Sequence, residues 1–273
     1  MRLRIRHETA YAYATPANRA IETLRLTPRG HDGQFIADWR IDIDHDCRLQ
    51  QSVDAFGNTM HDFTVEGPLS GLVITAEGRI ETSDTSGVVT GQVERFPPLV
   101  FLRDTALTTS DAAIRDFARS VAGASGASQL DLLHALMAGI QERLRFEINA
   151  TDTGTNAIEA FKLGHGVCQD FAHVLISAAR HLGLPARYVS GYLCRTDYID
   201  QEAGHAWAEV LIDDLGWVGF DAANSICPTE AYARLAVGLD YLDAAPVRGV
   251  RYGGDGETLA VRVEVENAGR SGR

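Results

Sequence analysis

The chain has 273 residues, of which 45% are hydrophobic and 23% charged, a composition that excludes disorder and collagen-like repeats and leaves room for two domains of ordinary size. Its 25 basic and 37 acidic side chains leave a net charge of -12, which argues against a nucleic-acid partner, because phosphate binding needs concentrated positive charge. No apolar run reaches the roughly 18 residues that a membrane span needs, so no membrane association is expected.

From the first residue, charged and apolar side chains alternate (Met1, Arg2, Leu3, Arg4, Ile5, Arg6). That is a strand pattern rather than the unbroken apolar stretch of a signal peptide, and a cytoplasmic location is expected from it. Residues 1 to about 105 continue as strands. Leu24 and Leu26 alternate with polar neighbours until Pro28, Arg29 and Gly30 break the run, and Trp39, Ile41 and Ile43 alternate with Arg40, Asp42 and Asp44. Phe56-Gly57-Asn58 reads as a turn, followed by a strand through Phe63 and Val65 and another from Val73 to Ile80. Several short strands separated by turn signals predict an antiparallel, sandwich-like β domain over 1–105.

Phe96-Pro97-Pro98 marks the boundary, since a proline pair ends strands and stiffens a linker. Ser110 is placed to cap a helix in which Ile114, Phe117, Ala118 and Val121 share a face, and Ser128 to cap a second with the stripe Leu133, Leu136, Met137, Ile140 and Leu144. A third helix runs on from Cys168, with Gly183 as its left-handed stop and Pro185 two residues beyond. Strands are expected at 187–195, 205–213 and 217–221, with two more short ones between Val247 and Val265. Residues 106–273 therefore form a second, α+β domain. Gly253, Gly254 and Gly256 lack the strand-turn-helix setting of a phosphate loop and read as a turn.

Cys47, Cys168, Cys194 and Cys227 lack the paired spacing of a zinc ribbon and are too few to staple a chain this long. Cys168 alone has surroundings that suit chemistry. In Gly164-His165-Gly166-Val167-Cys168-Gln169-Asp170-Phe171 two glycines precede it and a helix begins at or just after it. At a helix N-terminus the free N–H groups and the dipole stabilise a thiolate, and the same N–H groups can receive an oxyanion. The plainer reading is a small buried residue that starts a core helix. His205, after Gly204, opens a strand with two distinct faces and suits either a hydrogen-bonded structural role or that of a general base. Asp221 closes the apolar run Trp217-Val218-Gly219-Phe220; it suits a strand-end turn residue or the partner that fixes the tautomer of His205. If the connection between the two strands is the three residues 213–215, Trp207 lies opposite Asp221 and His205 is a diagonal neighbour on the same face. A two-residue turn would place His205 and Asp221 on opposite faces, so an odd-length loop or a bulge is expected.

Four blocks in order, Gly164 to His173, Gly183 to Leu193, His205 to Val210 and Gly216 to Asp221, resemble the bacterial transglutaminase-like family. Asp54-Ala55-Phe56-Gly57-Asn58 is similar to the β-rich domain that precedes the core in that family, and Pro246-Val247-Arg248-Gly249-Val250 is similar too, so the resemblance covers nearly the whole chain. It implies a papain-like core with helices packed on an antiparallel sheet, and a Cys-His-Asp triad falling on Cys168, His205 and Asp221. Where the family commonly has proline and a small polar residue before asparagine, this chain has Ala222-Ala223-Asn224, which removes no reactive group. Members are described as transglutaminases, as cysteine peptidases, or only as resembling either. The activity implied is thiol-dependent acyl transfer on amide or peptide bonds of a protein or peptide substrate through a thioester. The alternatives are a peptidase or amidase that resolves the thioester with water, and a silent binding module. Eukaryotic transglutaminases use calcium, yet no calcium loop with alternating acidic residues is visible, and no metal or other cofactor is expected. A zinc site drawn from His165, Cys168, His173, His205 and Asp221 is the remaining competitor. Trp207 and Tyr192 are candidates to line the acyl site, with core packing the alternative for each.

Overall fold

The computed structural model describes residues 1–124, 128–195 and 199–270 and has the expected α+β character, built on two large antiparallel sheets. The first sheet centres on β1 (Arg2–Thr27), with β2 (Gln34–Ile43), β3 (Gln50–Val53) and β4 (Thr59–Thr82). β1 and β4 pair along almost their whole length, with register shifts between Ala12 and Arg19. Where several short strands were expected, two strands of 26 and 24 residues do the work. Pro16, Gly67 and Pro68 do not end them because all three fall at the register shift, where the ladder is already interrupted and a missing N–H goes unneeded. A Cβ on Gly67 would lie 2.1 Å from the carbonyl oxygen of Ala17, so only glycine allows the two backbones to approach there.

The second sheet has the order β12-β8-β10-β11-β5. Its strands are β5 (Val88–Val89), β8 (Ala186–Leu193), β10 (His205–Ile212), β11 (Gly216–Phe220) and β12 (Tyr232–Gly238). One face is covered by α1 (Ala112–Ala124), α2 (Gln129–Arg143), α3 (Ala157–Leu163) and α4 (Cys168–His181), which share a core with Ala206, Ala208 and Val210. The other face meets the first sheet through Tyr192, Ala233 and Leu235. The paired stubs β6 (Arg145–Phe146) and β7 (His165–Gly166) tie the end of α2 to the approach to α4. The short α5 (Tyr241–Ala244) leads to β13 (Val247–Tyr252) and β14 (Glu257–Asn267), and β9 (Asp200–Gln201) pairs with β14.

Two further expectations need correction, and two elements were not foreseen. The division at residue 105 is crossed twice: β5 joins β11 in the second sheet, while β13 and β14 pair with β1 in the first. Burial explains the second crossing. Leu3 and Ile5 form half of an apolar face that Val263 and Val265 complete, and all four side chains are buried. The cap of α1 is Asp111, whose Oδ1 accepts from the Ile114 N–H at 3.0 Å, in place of Ser110; Ser128 does cap α2 through the Asp131 N–H at 3.0 Å. Finally, α3 and β12 were not anticipated. α3 opens on a capping box of Asn156 and Glu159, a legible signal, whereas β12 is a short apolar run whose pairing with β8 lies beyond periodicity. No helix among the described residues is long and apolar enough to cross a membrane.

Candidate active site

The turn before Cys168 is held by a residue three positions after it begins. α3 ends at Gly164, in the left-handed conformation. Asp170, in the first turn of α4, then folds back, and its Oδ2 accepts from the Val167 N–H at 2.8 Å and from the Thr151 hydroxyl at 2.6 Å. Gly166 is required because a Cβ there would lie 2.4 Å from that carboxylate oxygen. Burial pushes the Asp170 carboxyl upward against these hydrogen bonds. The outcome is that Cys168 is the first residue of α4, where its own N–H has no preceding carbonyl within the helix to bond. Cys168 is half-buried and, like the other three cysteines, a free thiol.

His205 opens β10 and Asp221 follows β11. Ala208 faces Phe220 and Ile212 faces Gly216, so the connection is the three residues 213–215, with Asp214 and Gly216 at positive φ. Trp207 is therefore opposite Asp221, and His205 is its diagonal neighbour on one face, in the expected register. The imidazole Nε2–H donates to Asp221 Oδ2 at 2.6 Å, Asn224 Nδ2 lies 3.4 Å from the same nitrogen, and Cys168 lines the same groove as the ring. Burial alone would lower the His205 pKa; the Asp221 charge and hydrogen bond, with a lesser influence of the nearby Cys168, outweigh it and raise it to about 10.

Asp221 is fully buried and surrounded by donors. Its Oδ2 also accepts from the Tyr232 hydroxyl and from Asn224 Nδ2, both at 2.7 Å, and its Oδ1 from the N–H groups of Ala223 and Asn224 at 3.0 and 3.2 Å. Burial pushes the carboxyl upward, but His205, Asn224 and Tyr232 hold it below the usual carboxylate range. Neither Asn224 nor Tyr232 was assigned this role from sequence. Asn224 occupies the family's asparagine position and was within reach of inference; Tyr232 arrives on β12 and had no local signal.

Cys168 and His205 lie where two lobes of a groove meet. The smaller, about 300 Å³, is walled by Thr9 and Tyr11 of β1, Leu259 and Val261 of β14, and Tyr188 and Tyr241 of the second unit. The larger, about 720 Å³, carries Phe146, Ile148, Asn149, Glu202 and Asn224. Trp207 and Tyr192 line neither lobe, which corrects their candidacy as acyl-site residues. Trp207 is on the same face as His205 but further in, buried edge-to-face against Tyr232 at 5.5 Å between centroids. Tyr192 is buried against the first sheet, with its hydroxyl 3.0 Å from His7 Nδ1. Among the described residues, no three His, Cys, Asp or Glu side chains converge as metal ligands, and His173 is buried, its Nε2 accepting from the Tyr241 N–H at 3.2 Å.

Residues 115–222 match the model of the transglutaminase-like superfamily, and residues 3–81 match that of the bacterial transglutaminase-like N-terminal region. A Mycobacterium leprae protein described as uncharacterised is 29% identical over 280 residues, spanning 97% of this chain and 98% of that one. A protein-glutamine gamma-glutamyltransferase of Pseudomonas aeruginosa is 28% identical over 138 residues, 44% of this chain and 21% of its own length. In structure, the chain resembles a candidate cysteine protease of Cytophaga hutchinsonii with a TM-score of 0.79 and 20% identity, over 97% of this chain and 90% of that one. The fold is thus that of transglutaminase-like cysteine proteases.

Proposed function

Because the chain belongs to the bacterial transglutaminase-like family, we propose that it carries out thiol-dependent acyl transfer on amide carbonyls of a protein or peptide. Cys168 is the nucleophile, His205 the proton carrier and Asp221 the residue that orients and charges the ring. The observation that carries this reading is one imidazole bonded to a buried carboxylate at 2.6 Å and sharing its groove with a thiol at the first residue of a helix.

In the first step the Cys168 proton passes to His205, and the sulfur attacks the carbonyl carbon. The C–S bond forms as the carbonyl π pair moves to oxygen, and the N–H of Cys168 stabilises that oxyanion. The C–N bond then breaks, His205 returns its proton to the leaving ammonia or amine, and a thioester remains. A primary amine or a water then attacks the thioester, giving a new amide or a carboxylate, with His205 taking up the proton and returning it to the sulfur. The chemistry is common up to the thioester. The wider lobe, which also reaches Cys168, offers the second nucleophile a route to it.

The test is mass spectrometry of glutamine-containing peptides incubated with the protein, with and without a primary amine, beside a Cys168→Ala variant. Amine incorporation, deamidation or cleavage that requires Cys168 supports the proposal and separates its endings. Unchanged peptides, together with iodoacetamide labelling of Cys168 no faster than of Cys47, Cys194 or Cys227, would overturn it.

A further inference from the structure

The smaller lobe of the groove opens where two strands part company. On its inner side β14 pairs with β1 from Glu257 to Asn267. On its outer side β9 takes only Val263 and Glu264, and the Val265 N–H donates to the Ile199 carbonyl at 3.3 Å. Backbone groups alternate between the two sides of a strand. Val265 therefore fixes the parity: Val263, Val261 and Leu259 also direct N–H and C=O outward, while the residues between them bond to β1. After Gln201 the chain leaves the edge, and Ala203 and Gly204 line the same lobe as Leu259 and Val261. Among the described residues no strand covers the outer edge of 257–261, and Leu259 is 56% exposed. An open, apolar edge of this kind is a template for another strand, and this one lies on the groove that contains Cys168 and His205.

We propose that the acyl donor binds as an added strand on the outer edge of β14, continuing the line of β9, with its backbone paired to Val261 and Leu259. The inference rests on the reading of Cys168 as nucleophile and names its substrate class: an extended, proline-poor stretch of an unfolded or flexible polypeptide. Backbone pairing supplies the affinity, and alternate side chains of the bound strand enter the lobe. Those side chains are apolar, since Tyr11, Tyr188, Tyr241, Leu259 and Val261 surround that space.

The test uses a five-residue peptide of alternating valine and threonine that ends in a chloromethyl ketone. The Cys168 sulfur displaces chloride from the methylene carbon, forming a C–S bond as the C–Cl bond breaks, so labelling reports binding without turnover. Iodoacetamide, too small to pair, reports the thiol itself. N-methylation of the peptide at alternate amides should slow labelling about tenfold, and at the intervening amides less than about twofold, the effect of losing one or two hydrogen bonds. Val261→Pro removes an outward N–H without touching the ladder to β1, and should lower the ratio of peptide to iodoacetamide labelling rates about tenfold. The methylation series needs no variant to fold. A uniform response along the peptide, or labelling by iodoacetamide with none by the peptide, overturns the strand proposal alone. Failure of both reagents at Cys168 overturns it together with the nucleophile reading.

Discussion

Asp221→Asn isolates the contribution of one charge while keeping the shape of the site. The carboxylate receives donors only: His205, Tyr232 and Asn224 at Oδ2, and two backbone N–H groups at Oδ1. An asparagine has one acceptor end. If its oxygen stays with the backbone N–H groups, its amide donates to His205 Nε2, moves the ring proton to Nδ1, and removes the proposed base. If it turns over, the two backbone donors are orphaned at about 1–3 kcal/mol each. Raising His205 from 6.5 to about 10 corresponds to roughly 5 kcal/mol in favour of the imidazolium. Losing most of that should cut kcat/KM about a thousandfold, or about 4 kcal/mol. The assay is kcat/KM on a glutamine peptide and the rate of Cys168 alkylation by iodoacetamide, each followed against pH. Stability carries a second signature. Because the folded pKa of His205 lies above its unfolded value, its contribution is complete below 6.5 and is lost as pH rises through about 10. Thermal melting of the wild type should therefore decline over that alkaline range, and the variant should lack that component. A folded variant with alkylation and turnover within about fivefold (about 1 kcal/mol) of wild type at neutral pH would refute the charge argument.

Two further outcomes follow from groups beyond the proposed triad. Glu209, fully buried, accepts from Arg187 Nε and from Arg234 Nε at 2.6 Å each; burial would raise its pKa, but the two guanidiniums hold it down to about 2. Glu209→Gln leaves two buried cations under-compensated and should cost about 3–5 kcal/mol in urea unfolding; a change below about 1 kcal/mol would count against the network as a structural anchor. Burial pushes His173 down to about 3, so between 6.5 and about 3 the unfolded chain binds a proton that the folded one does not, and stability falls as pH falls through that range. His173→Gln can keep an acceptor for the Tyr241 N–H without titrating, and its urea midpoint should fall less steeply with acid than that of wild type.

The candidate site was legible where it depends on local rules. The three-residue connection 213–215 follows from face alternation once His205 and Asp221 are required to meet, and the observed pairing of Ala208 with Phe220 agrees. The start of α4 at Cys168 and its stop at Gly183 follow from glycine placement. What escaped depends on pairings between distant segments. Tyr232 reaches Asp221 only because β12 pairs with β8 after the chain has doubled back through the bridge between Asp221 and Ile226. Trp207 and Tyr192 are aromatic residues near the motifs, but one is covered by Tyr232 and the other by the first sheet, and neither cover is encoded in the residue's own neighbourhood.

The matched core model ends at residue 222, yet the residues after it complete both the candidate site and the architecture. Asn224 and Tyr232 supply two of the donors that keep Asp221 ionised. Arg234 neutralises Glu209 on the same strand as His205, and its backbone N–H donates to Gln34 of the first sheet at 2.7 Å. β14 closes the apolar face of β1 and presents Leu259 and Val261 to the groove. The wall beside the thiol thus comes from the first and last strands of the chain, held to each other by a ladder from Leu3 to Tyr13. Displacing that wall would expose Leu3, Ile5, Val263 and Val265 together, a loss of about 1.5–3 kcal/mol for each side chain. The β-rich unit is therefore bound to the unit that carries Cys168 and His205 by its own core, and the shape of the groove is fixed by the same burial that folds the first sheet.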